Sequence, residues 1–463
     1  MKWILKLLAL SFSLCLFSCE ERTRRIVWSP SGSMATVIAG ETLHLTDASG
    51  ELTPPLVEGV RAAEWIDEDH LLVLRHLPID WSEDAPPSAS DGARDRIRSL
   101  TEEWVADRTP QESAVALKDS GGEGLYLFLC LYYDHRTYFE EVAEALEEPV
   151  DEETDEEARE LNERLVAVAE VYQRSGEKLE RSYALGEGLL VYSLFDRGNV
   201  DLRLSPSGDL ALLTITKAGM DDGLWLLELK EGGELLSLVS GRIARYPDWS
   251  ANGGEMYFMK AMHEDSDPDM GMLQRIALED GDGEEVPGPP QAVAWTLFDE
   301  QARIRCVEDG RVFFTTSSFR FPLALEDPSH GEPLFAFDPE DRGSMDPVFS
   351  EEVLAELPGS LSAFELSPDE TMMVVVRARQ SEVFVVSLEG EATVTKVQTE
   401  QLGHLRWMPS WRSEDELCFV TVDETGERQV SLWNANDGSV RSLSESWPGE
   451  VREGLTEVPE VEK

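Results

Sequence analysis

The chain has 463 residues, of which 41% are hydrophobic and 8% aromatic, so it can bury a large core and is not intrinsically disordered. Its length fits either about three domains or one large repeat fold. The 92 acidic and 40 basic residues give a net charge of −52, which excludes sequence-independent binding to nucleic acid and disfavours electrostatic docking to an anionic membrane. Only nine of the basic residues are Lys, a composition typical either of proteins exposed to high salt or of acidic surfaces encoded by a GC-rich genome.

The N-terminus has the pattern of a bacterial export signal. Two lysines precede a mostly apolar run over residues 7–17, which is too short to span a bilayer but fits the hydrophobic region of a signal peptide. The run leads into Leu-Phe-Ser and then Cys19, which resembles the lipobox of bacterial lipoproteins. That resemblance implies cleavage after residues 1–18, lipidation of Cys19 and, because Glu20 is not Asp, an outer-membrane position. Residues 19–25 would form a tether; an ordinary signal peptide with an incidental cysteine is the alternative.

A short turn motif recurs along the rest of the chain. In the first copy Ser29 suits position 1 of a type I turn, Pro30 fixes φ at position 2 and Gly32 suits position 4. An apolar strand and a second, alternating strand follow each turn. The residues that we assign to the strongest copies are Trp28, Ser29, Pro30, Gly32, Ser205, Pro206, Gly208, Trp249, Ser250, Gly253, Ser367, Pro368 and Asp369. Weaker copies follow Trp65 and Trp411.

The spacing of these copies indicates the architecture. Successive copies are 37 residues apart near the start and 45 apart in two later pairs. Periods of about 40 to 45 residues with four short strands each are typical of β-propeller blades. The motifs resemble the WD40-like repeats of TolB-type β-propellers, whose usual form is an aromatic or apolar residue followed by Ser-Pro-Asp-Gly. No copy here has that full form, and the resemblance covers residues 26–79 and 180–445.

We therefore predict an all-β chain that folds as a β-propeller over residues 26–445. Seven four-stranded blades fit the pattern best; six or eight blades, or a β-sandwich, are the alternatives. The predicted blades cover residues 26–58, 60–198, 201–242, 245–290, 292–340, 358–399 and 402–445. The fifth blade depends on strands predicted at 293–298, 303–307 and 312–316. The acidic tail over 446–463 is expected to fray.

Residues 80–180 interrupt the period and predict a mainly helical insertion in the second blade. Apolar residues recur there at helical spacing in three stretches, with a strand-like run over 125–133 after the first. The stretches contain Ala93, Ile97, Leu100 and Trp104; then Phe139, Val142, Ala143 and Leu146; then Ala158, Leu161, Leu165, Val168 and Tyr172. The last two predict a helical hairpin, which is either a lid on the propeller or a docking arm for a partner.

The sequence has no recognisable catalytic motif. It lacks the serine-hydrolase motif GxSxG, the zinc motif HExxH, a P-loop and the dinucleotide motif GxGxxG. Cys130, Cys306 and Cys418 are far apart and are expected to be buried free thiols. Their spacing fits neither a disulfide framework nor a metal site.

A weak calcium-loop pattern occurs in one acidic segment. Asp265, Asp267 and Asp269 alternate as oxygen ligands would, but the turn glycine and the final Glu of such a loop are misplaced. A solvated acidic loop is the alternative, and we predict no metal or other cofactor.

These features favour a non-catalytic interaction module over an enzyme. A lipid-anchored, monomeric propeller suits binding of envelope proteins, and the TolB-type resemblance implies the same class of partner. The alternative is a propeller enzyme or a binder of a small ligand, glycan or cation that uses acidic side chains at the mouth of the channel. No pair of acidic residues can be singled out from the sequence for that role.

Overall fold

The computed structural model describes a propeller whose strands follow the predicted order. The described residues are 25–77, 102, 105–106, 108–120, 136–146, 166–175, 178–184, 199–216, 223–230, 235–262, 270–281, 284–299, 302–316, 334–339, 345–357, 361–377, 383–390, 392–397, 404–405, 407–422 and 428–444. They form seven antiparallel sheets of four strands, with a fifth strand in the fourth and seventh sheets. Each sheet is one blade.

The first four blades lie before residue 298. Blade 1 is β1 (Ile26–Trp28), β2 (Met34–Ala39), β3 (Thr42–Asp47) and β4 (Val57–Glu58). Blade 2 is β5 (Val60–Trp65), β6 (His70–Leu77), β7 (Val166–Gln173) and β8 (Lys178–Ala184). Blade 3 is β9 (Asn199–Leu204), β10 (Leu210–Thr216), β11 (Gly223–Glu228) and β12 (Leu235–Ser240). Blade 4 is β13 (Asp248–Trp249), β14 (Glu255–Ala261), β15 (Met270–Gly281), β16 (Glu284–Pro287) and β17 (Gln291–Leu297).

The last three blades complete the ring. Blade 5 is β18 (Ile304–Cys306), β19 (Val312–Phe314), β20 (Phe335–Phe337) and β21 (Met345–Pro347). Blade 6 is β22 (Leu361–Leu366), β23 (Met372–Arg377), β24 (Val383–Ser387) and β25 (Val394–Val397). Blade 7 is β26 (His404–Leu405), β27 (Ser410–Trp411), β28 (Glu416–Val422), β29 (Arg428–Asn434) and β30 (Val440–Ser444). The helices are α1 (Pro110–Ser120), α2 (Arg136–Leu146) and α3 (Glu351–Glu356).

The core is divided among seven apolar clusters, and each cluster joins two consecutive blades. The second strand of a blade is apolar on both faces because each face packs against a neighbouring blade. In β10, for example, six of the seven residues are buried. Outer strands such as β12 and β25 are mostly partly buried or exposed instead, with one buried residue each. The strands nearest the axis surround it, and contacts join β1 to β5, β5 to β9, β13 to β18, β22 to β27 and β27 to β1. We call β1, β5, β9, β13, β18, β22 and β27 the inner strands.

The ring closes where blade 7 packs against blade 1, a contact that we call the closure seam. Blade 1 and blade 7 each take their strands from one continuous segment, so side-chain packing joins them. Ile26 and Trp28 of blade 1 share an apolar cluster with Cys418 and Val420 of blade 7. Arg412 Nε donates a hydrogen bond to the carbonyl oxygen of Gly32, 3.1 Å away.

The predicted boundary between blades 4 and 5 was wrong. Residues 293–298 were assigned to blade 5, but β17 pairs with the first half of β15 and belongs to blade 4. The cause is the length of β15, whose second half pairs with the additional strand β16. Blade 5 begins at β18 and ends at Pro347, beyond the predicted limit of 340.

The prediction that the third stretch of the insertion is helical was also wrong for the residues that the structure describes. Val168 and Tyr172 lie in β7, the third strand of blade 2, in an antiparallel ladder with β6. The run is rich in Val, and its apolar residues fit both the helical and the alternating pattern. Pairing with the buried strand β6 favours the strand conformation over the helix. Ala158, Leu161 and Leu165 of this stretch, with the first stretch and the strand-like run over 125–133, lie outside the described residues.

The middle stretch is a helix, as predicted. Phe139, Val142 and Ala143 are buried on one side of α2. The partner helix is α1, which the sequence analysis did not predict. A capping box starts it: Glu112 N donates to Thr109 Oγ1 over 3.3 Å, and Thr109 N donates to the Glu112 carboxylate over 2.8 Å.

Candidate functional site

The predicted turns connect the inner strand of a blade to its second strand. In four of them the motif serine is buried or, for Ser250, partly buried, and its hydroxyl accepts a hydrogen bond from the backbone N–H five residues later. The pairs are Ser29 with Met34 (3.4 Å), Ser205 with Leu210 (3.2 Å), Ser250 with Glu255 (2.9 Å) and Ser367 with Met372 (2.9 Å). The motif serine thus closes a tight turn, which explains its recurrence.

The turns of neighbouring blades also contact one another. The Glu68 carboxylate of blade 2 accepts hydrogen bonds from Ser31 N (2.5 Å) and Ser31 Oγ (2.7 Å) of blade 1. The Glu370 carboxylate of blade 6 accepts one from Glu308 N (2.8 Å) of blade 5. These turns therefore lie together around the axis, on one face of the propeller.

The penultimate residues of the inner strands form a ring around the axis. In blade order they are Val27, Glu64, Arg203, Asp248, Arg305, Glu365 and Ser410. Charge alternates from blade 2 to blade 6, whereas the two uncharged residues lie on either side of the closure seam. We call this set the axial ring.

Ion pairs join neighbouring members of the axial ring. Arg203 Nε lies 2.7 Å from Asp248 Oδ1, and Arg305 binds both carboxylate oxygens of Glu365 at 3.0 and 2.7 Å. Asp248 Oδ2 also accepts a hydrogen bond from Cys306 N over 3.0 Å. Burial lowers the pKa of Arg203, but the negative charges nearby, Asp248 first, outweigh burial and raise that pKa above its ordinary value. The ring thus ties blade 3 to blade 4 and blade 5 to blade 6.

A second layer of charge lies next to the axial ring. Arg245 pairs with Asp201, and the guanidinium of Arg303 lies 4.0 Å from the centre of the Tyr246 ring. Arg303 is buried, and burial lowers its pKa. Four arginines of this very acidic chain therefore lie at or beside the channel, where carboxylates or an aromatic face meet them.

Three tryptophans that end inner strands bind the axial ring through its backbone. Trp65 Nε1 donates to Val27 O (2.9 Å), Trp249 Nε1 to Arg203 O (3.2 Å) and Trp411 Nε1 to Glu365 O (3.2 Å). In each case the acceptor is the penultimate residue of the preceding blade's inner strand. The indole–carbonyl hydrogen bond is thus a repeated contact between blades.

A cavity of about 250 Å³ opens where the axial ring meets the turns. Its lining includes the ring members Arg203, Asp248, Arg305, Glu365 and Ser410, together with Trp28, Trp411 and Glu370. Sequence analysis placed Trp28 in a turn motif but missed the ring. The available signal was a charged residue at one repeat position, directly before the apolar residue that ends the inner strand.

Other candidates from the sequence have different positions. Cys19, Asp265, Asp267, Asp269 and Cys130 lie outside the described residues. Cys418 is a buried free thiol, as predicted, and burial raises its pKa to about 12. Cys306 is a free thiol that is only partly buried. In the part of the chain that the structure describes, no group of three His, Cys, Asp or Glu side chains could hold a metal ion.

Comparison with known proteins finds solved structures with a similar fold but low sequence identity. No protein-family model and no curated protein matches the chain. TolB from Acinetobacter baumannii is 14% identical with a TM-score of 0.38, and the match covers 61% of each chain. A puromycin-hydrolysing peptidase from Mycobacterium tuberculosis is 12% identical with a TM-score of 0.46; the match covers 91% of this chain and 53% of the peptidase. The Cps50 (Swd1) propeller domain from Myceliophteria thermophila is 9% identical with a TM-score of 0.45, over 90% of this chain and 98% of the domain.

At these identities and TM-scores, the likenesses say nothing about activity or partners. The fold is established by strand pairing, in which seven antiparallel blades follow one another along the described residues. The motif turns join the first two strands in blades 1, 3, 4 and 6, at the positions that the repeat predicted. The chain is a seven-bladed β-propeller whose turn motifs resemble those of TolB-type repeats.

Proposed function

We propose that the chain is a non-catalytic lipoprotein of the bacterial envelope, anchored to the outer membrane through Cys19, whose propeller holds protein partners. The observation that carries this proposal is the helical arm, which we define as α1 and α2. The arm leaves blade 2 between two paired residues, Leu77 and Val166. Among the described elements, α1 packs chiefly against α2 rather than against a blade.

The arm has its own internal contacts. Ser113 Oγ and Tyr138 Oη are 2.8 Å apart, and Tyr138 Oη donates to Arg108 O over 2.8 Å. Val115 on α1 is 61% exposed. A helical pair that packs mainly on itself fits a docking element better than a lid, and Val115 offers an exposed apolar position at which to test this.

The charge of the channel also favours a scaffold. Ion pairs join Arg203 to Asp248 and Arg305 to Glu365 across blades, and these pairs stabilise the axial ring. Surface acidity is a separate property, and the net charge of −52 favours a partner with a basic docking surface. No helix among the described residues is long and apolar enough to span a bilayer.

The arm is tested by removing it without breaking blade 2. Because Leu77 and Val166 are paired, replacing residues 78–165 with a two-residue Asn-Gly turn would join β6 to β7 as a hairpin. The intact chain and this variant would be compared by crosslinking in cells, affinity capture and mass spectrometry. Loss of one envelope protein from the captured set would support docking through the arm. The Val115→Glu variant, which keeps the arm, should weaken the same contact.

Other results would change the assignment. An unchanged set of partners would assign binding to the propeller face and make the arm a structural element. If neither protein captures a partner, the scaffold role is wrong and the cavity at the channel becomes the leading site. Turnover on a panel of glycans would instead support the enzyme alternative.

The anchor has a separate test. Replacing Cys19 with Ser removes the proposed acylation site and should move the protein from the membrane fraction to the soluble fraction. Cys15→Ser is the matched control, because Leu14 before it fits a lipobox poorly. Intact mass of the purified N-terminus would detect the lipid directly. Equal fractionation of both variants with the unmodified chain would contradict the anchor.

A further inference from the structure

The outer edge of blade 4 carries an exposed apolar surface. Trp295 in β17 is 56% exposed and Met270 in β15 is 41% exposed, and they are two of the six large apolar side chains that are exposed in the described part of the chain. Ala294 packs in the cluster between blades 4 and 5, so Trp295, the next residue, lies on the opposite face of the sheet. That face is the one whose inner part packs against blade 3.

Neighbouring strands extend this surface into a patch. Ile276 packs in the cluster between blades 3 and 4, and Met272 and Met270 lie on the same face of β15 because they are two and three pairs of alternating positions from the ends of that run. Met272 is paired with Trp295, and Met270 with Leu297, so their side chains are cross-strand neighbours. Met272, Leu297 and the adjoining Met262 are partly exposed. We call Met262, Met270, Met272, Trp295 and Leu297 the blade 4 patch.

Two hydrogen bonds to β14 fix the direction of the backbone groups along β15. Met262 N donates to Met270 O, and Leu278 N donates to Gly254 O, each over 2.8 Å. Backbone groups point alternately to the two sides of a strand. The even-numbered residues of β15 from 270 to 278 therefore face β14, and the odd-numbered residues face β17 and β16.

Trp295 consequently directs its backbone to the outer edge of the sheet. The odd-numbered Gly271 and Leu273 are paired with Thr296 and Ala294, which leaves the N–H and C=O of Trp295 pointing away from β15. Among the described elements, no strand pairs with that side of β17.

The open part of this edge is short and centred on Trp295. Leu297 O already accepts a hydrogen bond from Thr316 Oγ1 over 2.6 Å, and a register shift before Ala294 bounds the other side. Native proteins usually protect an exposed edge strand with charged residues, but β17 has none. Among the other described outer strands only β12 also lacks a charged residue, and it has no exposed large apolar side chain.

We propose that β17 and the blade 4 patch bind an extended, basic segment of a partner protein, which pairs antiparallel with β17 and packs alternate apolar side chains on Trp295. Such a strand would give the N–H and the C=O of Trp295 one hydrogen bond each and would cover its indole ring. Trp and Met are enriched in protein interfaces, and Met adapts to different partner surfaces. The net charge of −52 favours a basic segment and disfavours pairing of two copies of this chain through β17. The inference rests on the scaffold role proposed above but not on the helical arm.

A synthetic peptide with alternating residues, Lys-Val-Arg-Val-Arg-Val-Lys, is the probe. It would carry a fluorescent label and be titrated with the full chain at about 0.15 M salt, with binding measured by fluorescence anisotropy. The control is Lys-Lys-Arg-Arg-Val-Val-Val, which has the same composition and charge but no alternation. We expect the alternating peptide to bind at least tenfold more tightly. Equal affinities would reduce the binding to charge attraction, and no saturable binding of the alternating peptide would equally overturn the proposal.

Backbone methylation of the probe tests strand pairing itself. A methyl group on the backbone nitrogen of the central valine removes the N–H that would donate to Trp295 O. The same change on the next arginine alters an N–H that points away from β17. We expect the first change to weaken binding about tenfold and the second to weaken it much less. Equal losses would contradict pairing with this edge.

Variants of the chain locate the site. Trp295→Ala should weaken the alternating peptide about tenfold, and Met270→Ala should weaken it by a smaller factor. Met345→Ala is the matched control, because Met345 is 38% exposed on the outer strand of blade 5, and its affinity should equal that of the unmodified chain. Equal affinities of Met270→Ala and Met345→Ala, or no effect of Trp295→Ala, would contradict the blade 4 patch. Such a failure would remove this patch alone, because partner capture in cells tests the scaffold role separately.

Discussion

At the scale of single residues, one repeat position performs different tasks in different blades. Arg203, Asp248, Arg305 and Glu365 use their side chains to form ion pairs between neighbouring blades. Val27 instead contributes its backbone carbonyl and packs its side chain in the apolar cluster between blades 1 and 2. Asp248 and Arg305 are buried, and each lies beside a partly buried residue of opposite charge, because an isolated buried charge would be far more costly than a pair. The side chain at this repeat position can therefore differ between blades, as long as the neighbouring blade supplies a group of opposite charge for each charged residue.

The indole–carbonyl hydrogen bonds give a prediction at this scale. Trp65→Phe removes the bond to Val27 O, whereas Trp28→Phe removes an N–H that has no acceptor among the described residues. Both changes delete similar apolar area from a buried site. We expect Trp65→Phe to lower the free energy of unfolding by about 1 kcal/mol more than Trp28→Phe, the net value of one hydrogen bond. Urea denaturation of the two variants measures the difference, and equal losses would contradict it.

At the scale of elements, the motif turn serves both its own blade and the next. Gly32 has a φ of 67°, and a Cβ placed on it would lie 2.1 Å from Arg412 O across the closure seam. Gly40, in the turn between β2 and β3, has a φ of 64° and no atom within 4 Å of such a Cβ. The same backbone conformation thus occurs once in a tight contact and once in open space.

This pair of glycines separates backbone strain from steric conflict. Gly40→Ala should cost about 1 kcal/mol, the penalty for a left-handed alanine. Gly32→Ala should cost about 3 kcal/mol or more, because it carries the same penalty and also forces the closure seam apart. Thermal unfolding of both variants provides the test. Similar losses would show that the seam can relax around a methyl group.

The contact between the turns of blades 1 and 2 should depend on pH. Hydrogen bonds from Ser31, chiefly from its side chain, hold the pKa of Glu68 below its usual value of 4.5. A lowered folded-state pKa stabilises the fold above the unfolded-state pKa, and that stability is lost as pH falls through the folded-state value. The stability difference between the unmodified chain and Glu68→Gln should therefore be present at neutral pH and shrink below about pH 4.5. Because Glu68 is partly exposed to solvent, we expect a small effect.

A control distinguishes this contact from general acid denaturation. Glu51→Gln removes the same charge from an exposed position of blade 1, and its stability difference should not follow the profile of Glu68→Gln. The measurement is denaturant unfolding of the three proteins at several pH values. A constant difference between the unmodified chain and Glu68→Gln across that range would show that the turn contact is not linked to the charge.

At the scale of the whole molecule, packing between blades must overcome strong self-repulsion. The net charge is −52, and among the acidic residues whose burial the structure describes only Glu64, Glu170 and Asp248 are buried, so most of the described carboxylates lie at or near the surface. Repulsion between surface charges decreases with ionic strength, since the Debye length falls from about 10 Å at 0.1 M salt to about 3 Å at 1 M. The alternating axial ring is less affected, because its charges are paired and largely buried.

We therefore expect the melting temperature to rise as NaCl is increased from low to molar concentration. KCl should give the same increase if screening is the cause, whereas a response to only one of the salts would indicate a specific ion site. Differential scanning calorimetry measures both series. A melting temperature that is independent of salt would contradict the interpretation of the acidic surface as an adaptation to saline conditions.

Local patterns were sufficient to predict most of the propeller. The turn around Ser29 and Pro30 and the apolar strands after each turn depend on residues close in the chain, so blade class and approximate number followed from their spacing. The prediction failed where pairing between distant segments decides the structure. Val168 and Tyr172 fit a helix by spacing, but β6 pairs with them across the insertion.

The sequence by itself determined the repeat, its turns and the strand content, because φ preferences and alternation of apolar residues act over a few positions. Only the tertiary structure decided which charges meet and which polar groups remain unpartnered. Arg305 and Glu365 are 60 residues apart in sequence and become neighbours only when blades 5 and 6 pack around the axis. Trp28 is distinguished from Trp65, Trp249 and Trp411 by its place at the closure seam, which exists only because the ring closes.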